Sequence, residues 1–365
     1  MSCTVVFNQD HSSLSICHLN AIQFLEFDGA ELINAGYKTL DGNPIIVERL
    51  FSSNLIALVL KESSDTLKII HFEKLQCIME KRFQSEILCV KLNRTILIVC
   101  TDKTIYVHNL TNMKELATIN ELNAIMTRTV ALSSSSVECI LAYAGLHGNL
   151  HIYNVTDLKE YALIKAHNSR IRKIAFDSSG NTVATASRKG TVIRVFSVAS
   201  GQKLFELRRG LRRSAIINDL AFSSHGCYLS VSSSTNTIHI FQLQQYQRRS
   251  ETSNELLQDG WLRIISKTLI GVGSHVLVTS SALSDIRAFA TIHLPCQYRS
   301  PSVCGINSSR SLQVIIASED GMVRIYEIDK CLGGEAQLLS ETNVVTDIIT
   351  NKPTTAANNK NDNAL

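Results

Sequence analysis

The sequence has little of what most catalytic, secreted or membrane-spanning proteins carry. Its ten cysteines include no Cys-x-x-Cys pair, and several lie inside apolar runs, as Cys100 does. This pattern is typical of free thiols in a reducing compartment, so we expect a cytoplasmic protein without a metal site. Apolar runs such as 55–60 are far shorter than the roughly 20 residues of a membrane-spanning helix, and the first ten residues lack a leader pattern. Any membrane contact is therefore expected to be peripheral.

Sequence motifs of catalytic and metal-binding sites are also missing. No nucleophile–base pair, metal-ligand spacing or phosphate-cradling glycine loop stands out, so the sequence predicts no catalytic residue, no cofactor and no enzyme. The single basic stretch is short and has no interleaved aromatic residues for base stacking, which argues against nucleic-acid binding. We expect a monomer in solution.

What the sequence does contain is a repeat of short, β-rich segments. Similar strands are centred on Val107, Ile152, Val195 and Ile240, at intervals of 45, 43 and 45 positions. A period of this length is typical of propeller blades with four strands each. With two units upstream and one downstream, the chain is predicted to be all-β, a seven-bladed β-propeller with WD-like repeats over residues 1–340.

One interval is too long for a single repeat. Ile240 and Ile325 are 85 positions apart, which predicts an insertion at about 244–286, between the third and fourth strands of the sixth blade. Its apolar residues fall at helical spacing, which favours membrane insertion, although ordinary packing remains an alternative. The polar residues 341–365 are expected to form a flexible tail. The candidates for membrane insertion are Trp261, Leu262, Ile264, Ile265 and Leu269.

The excess positive charge of the chain is concentrated at one place. Residues 203–213 contain five basic residues and one acidic residue, which leaves 31 of each sign elsewhere. Within this run, Arg208 and Arg209 are adjacent, so on a strand they would reach two different neighbourhoods. Gly210 follows them, and glycine allows close backbone approach to a phosphate. Since hydroxyl-rich segments precede and follow the run, we expect two anion sites, one for each arginine.

A less specific interpretation is open at this point. Basic runs are commonly solvated faces, and strand hydroxyls and histidines commonly bond local backbone. If His167 and His239 do bind phosphate, protonation should tighten binding as the pH falls through about 6.5.

The run Leu207-Arg-Arg-Gly210, between the segments 184–196 and 220–241, resembles the (F/L)RRG motif of the PROPPIN family of seven-bladed propellers. The resemblance implies binding of phosphatidylinositol 3-phosphate and phosphatidylinositol 3,5-bisphosphate at two sites on one propeller edge, with a loop of the sixth blade inserted into the bilayer. By motif position, the first site would use His167, Thr185, Ser187, Gly190, Thr191, Arg194 and Arg208. The second would use Arg209, Gly210, Ser233, Thr237 and His239.

The same resemblance implies a biological role. Proteins of this family act in autophagosome formation, on phagophore, autophagosome-precursor and endosomal membranes. They recruit autophagy proteins, either a lipid-transfer protein or the scaffold of a ubiquitin-like conjugation machinery. The alternative is a lipid-independent WD-repeat scaffold, whose basic patch would contact an acidic protein surface.

Overall fold

A computed structural model describes residues 3–120, 122–135, 138–210, 213–243, 286–295, 301–308 and 311–345. These residues form seven sheets, each of four consecutive antiparallel strands, and one sheet gains a fifth strand. The first strands of successive sheets contact one another in a closed ring, in which the last sheet meets the first. The predicted seven-bladed β-propeller is therefore confirmed.

The first three blades contain twelve strands. Blade one has β1 (Thr4–Phe7), β2 (Ser13–His18), β3 (Ala21–Asp28) and β4 (Glu31–Thr39). Blade two has β5 (Pro44–Arg49), β6 (Leu55–Leu60), β7 (Ser63–His71) and β8 (Gln76–Arg82). Blade three has β9 (Cys89–Leu92), β10 (Ile96–Cys100), β11 (Ile105–Asn109) and β12 (Glu115–Ile119), followed by the short helix α1 (Ala124–Arg128).

The remaining blades follow the same plan. Blade four has β13 (Val130–Leu132), β14 (Ile140–Ala144), a 3-10 turn (Leu146–Gly148), β15 (Asn149–Asn154) and β16 (Lys159–Lys165). Blade five has β17 (Ile171–Phe176), β18 (Thr182–Ser187), β19 (Val192–Ser197) and β20 (Lys203–Arg208). Blade six has β21 (Ile217–Phe222), β22 (Tyr228–Ser233), β23 (Thr237–Gln242) and β24 (Ala290–His293). Blade seven has β25 (Ser302–Asn307), β26 (Leu312–Ser318), β27 (Met322–Ile328) and β29 (Gln337–Asn343).

The repeated sequence segments are the third strands of their blades. Val107, Ile152, Val195 and Ile240 lie in β11, β15, β19 and β23, and each is at most 1% exposed. Alternate residues of these strands pack against the blades on either side, so the core is a series of apolar layers between neighbouring sheets. Residues in these layers are apolar, so polar residues are placed at the remaining positions of each strand.

Two features differ from the sequence-based expectation. β29 extends to Asn343, so the last strand passes residue 340, after which the tail is predicted to start. The short strand β28 (Gly334–Glu335), between β27 and β29, leaves blade seven and pairs in parallel with β24 of blade six. Blade six is thereby covered at its outer edge by a segment of blade seven.

The predicted insertion connects β23 to β24. Residues 244–285 lie outside the described residues, and with them all five candidates for membrane insertion. In the part of the chain that the structure describes, no helix is long and apolar enough to cross a bilayer.

Candidate phosphate-binding sites

The arginine motif lies at the end of β20, the outermost strand of blade five. Arg208 is opposite Val192 of β19. Because side chains alternate along a strand, Leu207 and Arg208 point to opposite faces of the blade. Leu207 is fully buried against blade six, in a cluster that includes Ile217. Arg208 therefore points to the face of blade five that meets blade four.

Two predicted residues of the first site are buried between blades four and five. His167 follows β16 and is 4% exposed, and Thr185 of β18 is fully buried. His167 Nε2 lies 3.0 Å from Thr185 Oγ1 and 3.3 Å from the Thr185 carbonyl oxygen. Thr185 Oγ1 donates to the Arg194 carbonyl oxygen over 3.3 Å. His167 and Thr185 thus support the strand that carries Arg194.

Arg194 is held by two acceptors. Its Nε donates to Glu206 Oε2 over 3.0 Å, and its Nη1 donates to the Ala166 carbonyl oxygen over 2.7 Å. Glu206 Oε2 also accepts from Lys203 Nζ at 2.7 Å. Burial opposes ionisation of Glu206, but the bonds from Lys203 and Arg194 outweigh it and lower the pKa of this carboxyl. Glu206 therefore offsets part of the positive charge at the first site.

The Arg194–Glu206 contact has counterparts in other blades. In each case a basic side chain of the third strand meets a glutamate of the fourth strand. In blade six, His239 instead lies opposite Thr291, and no glutamate of β24 stands at this position. Blade six therefore lacks this negative charge, as does blade one, where Gln23 of β3 lies opposite Tyr37 of β4. The counterparts are Lys68 with Glu80, His108 with Glu115, His151 with Glu160, and Arg324 with Glu341.

The turn between β18 and β19 brings three predicted residues beside the motif. Gly190 has a φ of +62°, and an added Cβ would overlap the carbonyl oxygen of Ala215. Only glycine fits this left-handed and crowded position. Ser187 and Thr191 are 6% and 8% exposed, and the Thr191 carbonyl oxygen accepts from the backbone N–H of Arg209 at 3.0 Å. The turn and the motif are therefore one hydrogen-bonded unit.

Arg209 points away from Arg208, toward blade six. Its Nε donates to the Gly190 carbonyl oxygen and its Nη2 to the Arg213 carbonyl oxygen, both over 2.7 Å. Its Nη1 reaches Thr235 Oγ1 at 3.3 Å, in the turn between β22 and β23. Partial burial lowers the pKa of Arg209, which remains a cation at neutral pH. The two arginines thus belong to the two sides of blade five.

Three predicted residues of the second site, Ser233, Thr237 and His239, lie on the face of blade six that meets blade five. Ser233 Oγ is 2.8 Å from Thr235 Oγ1, and Thr237 Oγ1 donates to the Thr235 carbonyl oxygen over 3.1 Å. Thr237 is opposite His293, as His239 is opposite Thr291. The structure therefore brings the hydroxyls, His239 and Arg209 to one cleft.

Both predicted histidines resist protonation. Burial and the nearby Arg194 lower the pKa of His167 to about 4. Burial, Arg209 and His293 lower the pKa of His239 to about 4. Both imidazoles are therefore neutral at pH 6.5 in the ligand-free protein, and the expected tightening of binding as the pH falls through 6.5 stays a prediction. An entering phosphate would have to raise these pKa values before either ring became charged.

Three residues of these clefts were not predicted: Glu206, Thr235 and His293. Thr235 belongs to the same hydroxyl-rich turn as Ser233, so its inclusion could have been expected. His293 is brought opposite Thr237 by the pairing of β23 with β24, which the long insertion hides in the sequence. Predicting the role of Glu206 would have required the strand register, because Glu206 contacts Arg194 across the sheet.

A further contact joins the end of the insertion to the arginine motif. The backbone N–H of Arg208 donates to the Ile286 carbonyl oxygen at 2.9 Å, and Ile286 forms a parallel bridge with Leu207. The chain then reaches Phe289, whose N–H donates to the Ile240 carbonyl oxygen at 2.7 Å. We call residues 286–289 the strap. It crosses from the outer strand of blade five to the third strand of blade six.

The fold and the site together define a class of protein, a seven-bladed propeller with an arginine pair between two clefts rich in hydrogen-bond donors. A model of one family matches residues 1–345, and its description is PROPPIN. The chain belongs to the PROPPIN family, as the LRRG motif suggested.

Two relatives agree with this assignment, and a solved structure agrees with the fold. The chain is 37% identical to WD repeat domain phosphoinositide-interacting protein 2 of Gallus gallus, over 92% of this chain and 77% of that protein. It is 34% identical to autophagy-related protein 18 of Caenorhabditis elegans, over 93% and 84%. The crystal structure of Kluyvelomyces marxianus Hsv2 superposes with a TM-score of 0.74, at 20% identity, over 94% of this chain and 99% of that one.

Proposed function

We propose that this protein is a peripheral membrane effector that binds phosphatidylinositol 3-phosphate, phosphatidylinositol 3,5-bisphosphate or both through two sites that flank the LRRG motif. The observation that carries the proposal is the divergence of Arg208 and Arg209. One arginine points to the face of blade five that meets blade four, and the other reaches toward blade six. Each joins a cleft with hydroxyl donors, so each can hold one phosphorylated headgroup.

In the first site, Arg208 supplies the principal charge. Arg194 is oriented by Glu206 and by the Ala166 carbonyl oxygen, and it keeps one further guanidinium nitrogen for a phosphate. His167 and Thr185 hold Arg194 in place from beneath. Ser187, Gly190 and Thr191 bring hydroxyl and backbone donors to the same corner, and a glycine turn permits close approach.

In the second site, Arg209 supplies the charge and His239 lies beside it. Thr235 links Arg209 to Ser233, so one incoming phosphate oxygen can replace these internal contacts. The backbone at Gly210 is uncrowded, because an added Cβ would lie 3.8 Å from the Arg213 carbonyl oxygen, which is an ordinary contact distance. Thr237 completes the set of donors.

The proposal extends to the biological role. A relative that is named phosphoinositide-interacting and another that is named autophagy-related support a function in autophagy. A similar propeller, KlAtg21, has been solved in complex with the coiled coil of AgAtg16. We therefore propose that the protein recruits autophagy proteins, a lipid-transfer protein or a conjugation scaffold, to phagophore, autophagosome-precursor and endosomal membranes. The segment with Trp261 would provide the second membrane contact.

The test separates the two arginines. Arg208→Ala and Arg209→Ala should each weaken binding to phosphatidylcholine vesicles that contain phosphatidylinositol 3-phosphate by roughly 10- to 100-fold, since each removes charge-assisted bonds of about 1.5–3 kcal/mol. The double variant should not bind. Arg82→Ala is the matched control, because Arg82 is an exposed arginine of blade two that pairs with Asp65.

Retained vesicle binding by the double variant would exclude these sites. Binding of autophagy proteins that is indifferent to the lipid and to both arginines would instead favour a lipid-independent scaffold.

A further inference from the structure

The turn between β27 and β28 presents an unusually exposed leucine. Leu332 is 83% exposed, more than any other large apolar side chain among the described residues. Single exposed leucines are common and mean little by themselves. Leu332 differs from the others because its turn is fixed by hydrogen bonds and is connected to the arginine motif.

The turn is fixed by hydrogen bonds on both sides of Leu332. The backbone N–H groups of Cys331 and Leu332 donate to Asp329 Oδ1 over 2.7 and 2.9 Å. The N–H of Gly333 donates to the Asp329 carbonyl oxygen over 2.9 Å. Leu332 is therefore held outward by an ordered turn. The turn would lose little conformational entropy if the leucine side chain entered an apolar environment.

The same turn is attached to the strap. The N–H of Gly334 donates to the Phe289 carbonyl oxygen over 2.9 Å, and β28 then pairs with β24. Gly333 packs so closely on Phe289 that a Cβ there would clash with the Phe289 ring. The strap is bonded at its other end to Arg208. Contacts thus run without interruption from the arginine motif to Leu332.

These contacts limit how far Leu332 can lie from the arginines. Phe289 is three residues from Ile286, a span of roughly 10 Å at most in extended chain. The neighbouring segment adds about one strand spacing of 5 Å. The two residues from Gly334 back to Leu332 add about 7 Å, so Leu332 lies within roughly 22 Å of the end of the strap that is bonded to Arg208. Exposed Arg287, in the strap, adds positive charge between the two.

We propose that Leu332 is a membrane-inserting tip, separate from the insertion of blade six, whose partner is the apolar layer of the bilayer that carries the phosphoinositide. The inference rests on the proposed lipid-binding function and adds a surface to it. Glu335, next in β28, is exposed and opposite Thr291, so its negative charge offsets the positive charge of Arg287, and the proposed contribution of Leu332 itself is apolar. The contribution should accordingly be insensitive to salt.

The main test compares two leucines. Leu332→Ser should weaken binding to phosphatidylcholine vesicles that contain phosphatidylinositol 3-phosphate by about tenfold, because an inserted leucine side chain is lost. The loss should persist at high salt, and affinity for the soluble headgroup, inositol 1,3-bisphosphate, should not change. Leu19→Ser is the control, since Leu19 is 69% exposed in the turn between β2 and β3 of blade one.

A second measurement reports the position of the turn directly. An environment-sensitive fluorophore on exposed Cys331, in a chain with Cys77→Ser, should shift to the blue on these vesicles. The shift should disappear in the Cys331→Ser chain, which corrects for labelling elsewhere.

The outcomes distinguish the two proposals. Wild-type binding with no loss in Leu332→Ser, or no spectral shift at Cys331, overturns the tip alone. Failure of the wild-type protein to bind phosphoinositide vesicles overturns the proposed function and the tip together.

Discussion

Replacing Thr291 with glutamate would give blade six the carboxylate that five other blades place beside a basic third-strand residue. His239 and Thr291 are directly opposite each other on β23 and β24. In blade four, His151 contacts Glu160 of the fourth strand at 2.7 Å, although Leu163 is the residue directly opposite it. Thr291→Glu should therefore place a negative charge next to His239, inside the proposed second site.

The magnitude follows from the spacing of opposite residues. Their Cβ atoms are about 5 Å apart, so a phosphate beside His239 would lie roughly 6 Å from the new carboxylate. With an effective dielectric constant near 20, two unit charges at that distance repel by about 3 kcal/mol. Salt and partial exposure reduce this to about 1.5 kcal/mol, which corresponds to roughly tenfold weaker binding. The carboxylate should also raise the pKa of His239.

The assay is vesicle binding with phosphatidylinositol 3-phosphate, together with a histidine titration followed by nuclear magnetic resonance. Thr291→Gln has nearly the same size without the charge and is the first control. Thr342→Glu adds the same charge to the fourth strand of blade seven, opposite Val323, and is the second. Equal affinities of the Thr291→Glu and Thr291→Gln chains would refute the reasoning, as would an unchanged titration of His239.

Two further predictions concern the first site and its glycine turn, and a third concerns buried histidines. Glu206→Gln should raise vesicle affinity several-fold, because a negative charge is removed from the first site. It should also lower the free energy of unfolding by about 1–2 kcal/mol, because Arg194 and Lys203 lose their charged partner. Glu80→Gln in blade two should leave affinity unchanged, and a loss of affinity in Glu206→Gln would contradict the role of Glu206 as a counter-charge. Gly190→Ala should destabilise the protein by about 2 kcal/mol or more in thermal unfolding, from the left-handed φ and the overlap with Ala215, and a wild-type melting temperature would argue against that crowding. Acid should destabilise the fold between pH 6.5 and 4, because burial lowers the pKa of His108 and His167 to about 4 in the folded state. Below pH 6.5 the unfolded chain therefore binds more protons, which favours unfolding by up to about 3 kcal/mol for each ring. His167→Gln should reduce the dependence of the free energy of unfolding on pH, measured by denaturation across this range.

The third strands could be predicted from the sequence because their Val and Ile residues alternate and recur at a nearly constant interval. That regularity reflects a physical need, since every third strand lies between two neighbouring blades and packs against both. The strand β28 escaped prediction for the opposite reason. It has only two residues, Gly334 and Glu335, and its pairing with β24 depends on where the preceding turn directs the chain.

The candidate sites were predictable only in part. Adjacent arginines on a strand must diverge, so the sequence already implied two neighbourhoods for Arg208 and Arg209. The counter-charge of Glu206 and the lowered pKa of His167 could not be predicted, because both arise from cross-strand register and from burial between blades. The membrane role of Trp261 and its neighbours stays a prediction.

The pairing of β23 with β24 has a consequence for how the chain could be connected. β24 is held by its ladder with β23, by buried Ala290 and Ile292, and by β28 on its other edge. All of these contacts are made by residues outside 244–285. New chain termini placed anywhere in that stretch should therefore leave a propeller that still closes, with both arginines in their clefts. The protein could in this way be divided into two fragments that reassemble through the sixth blade.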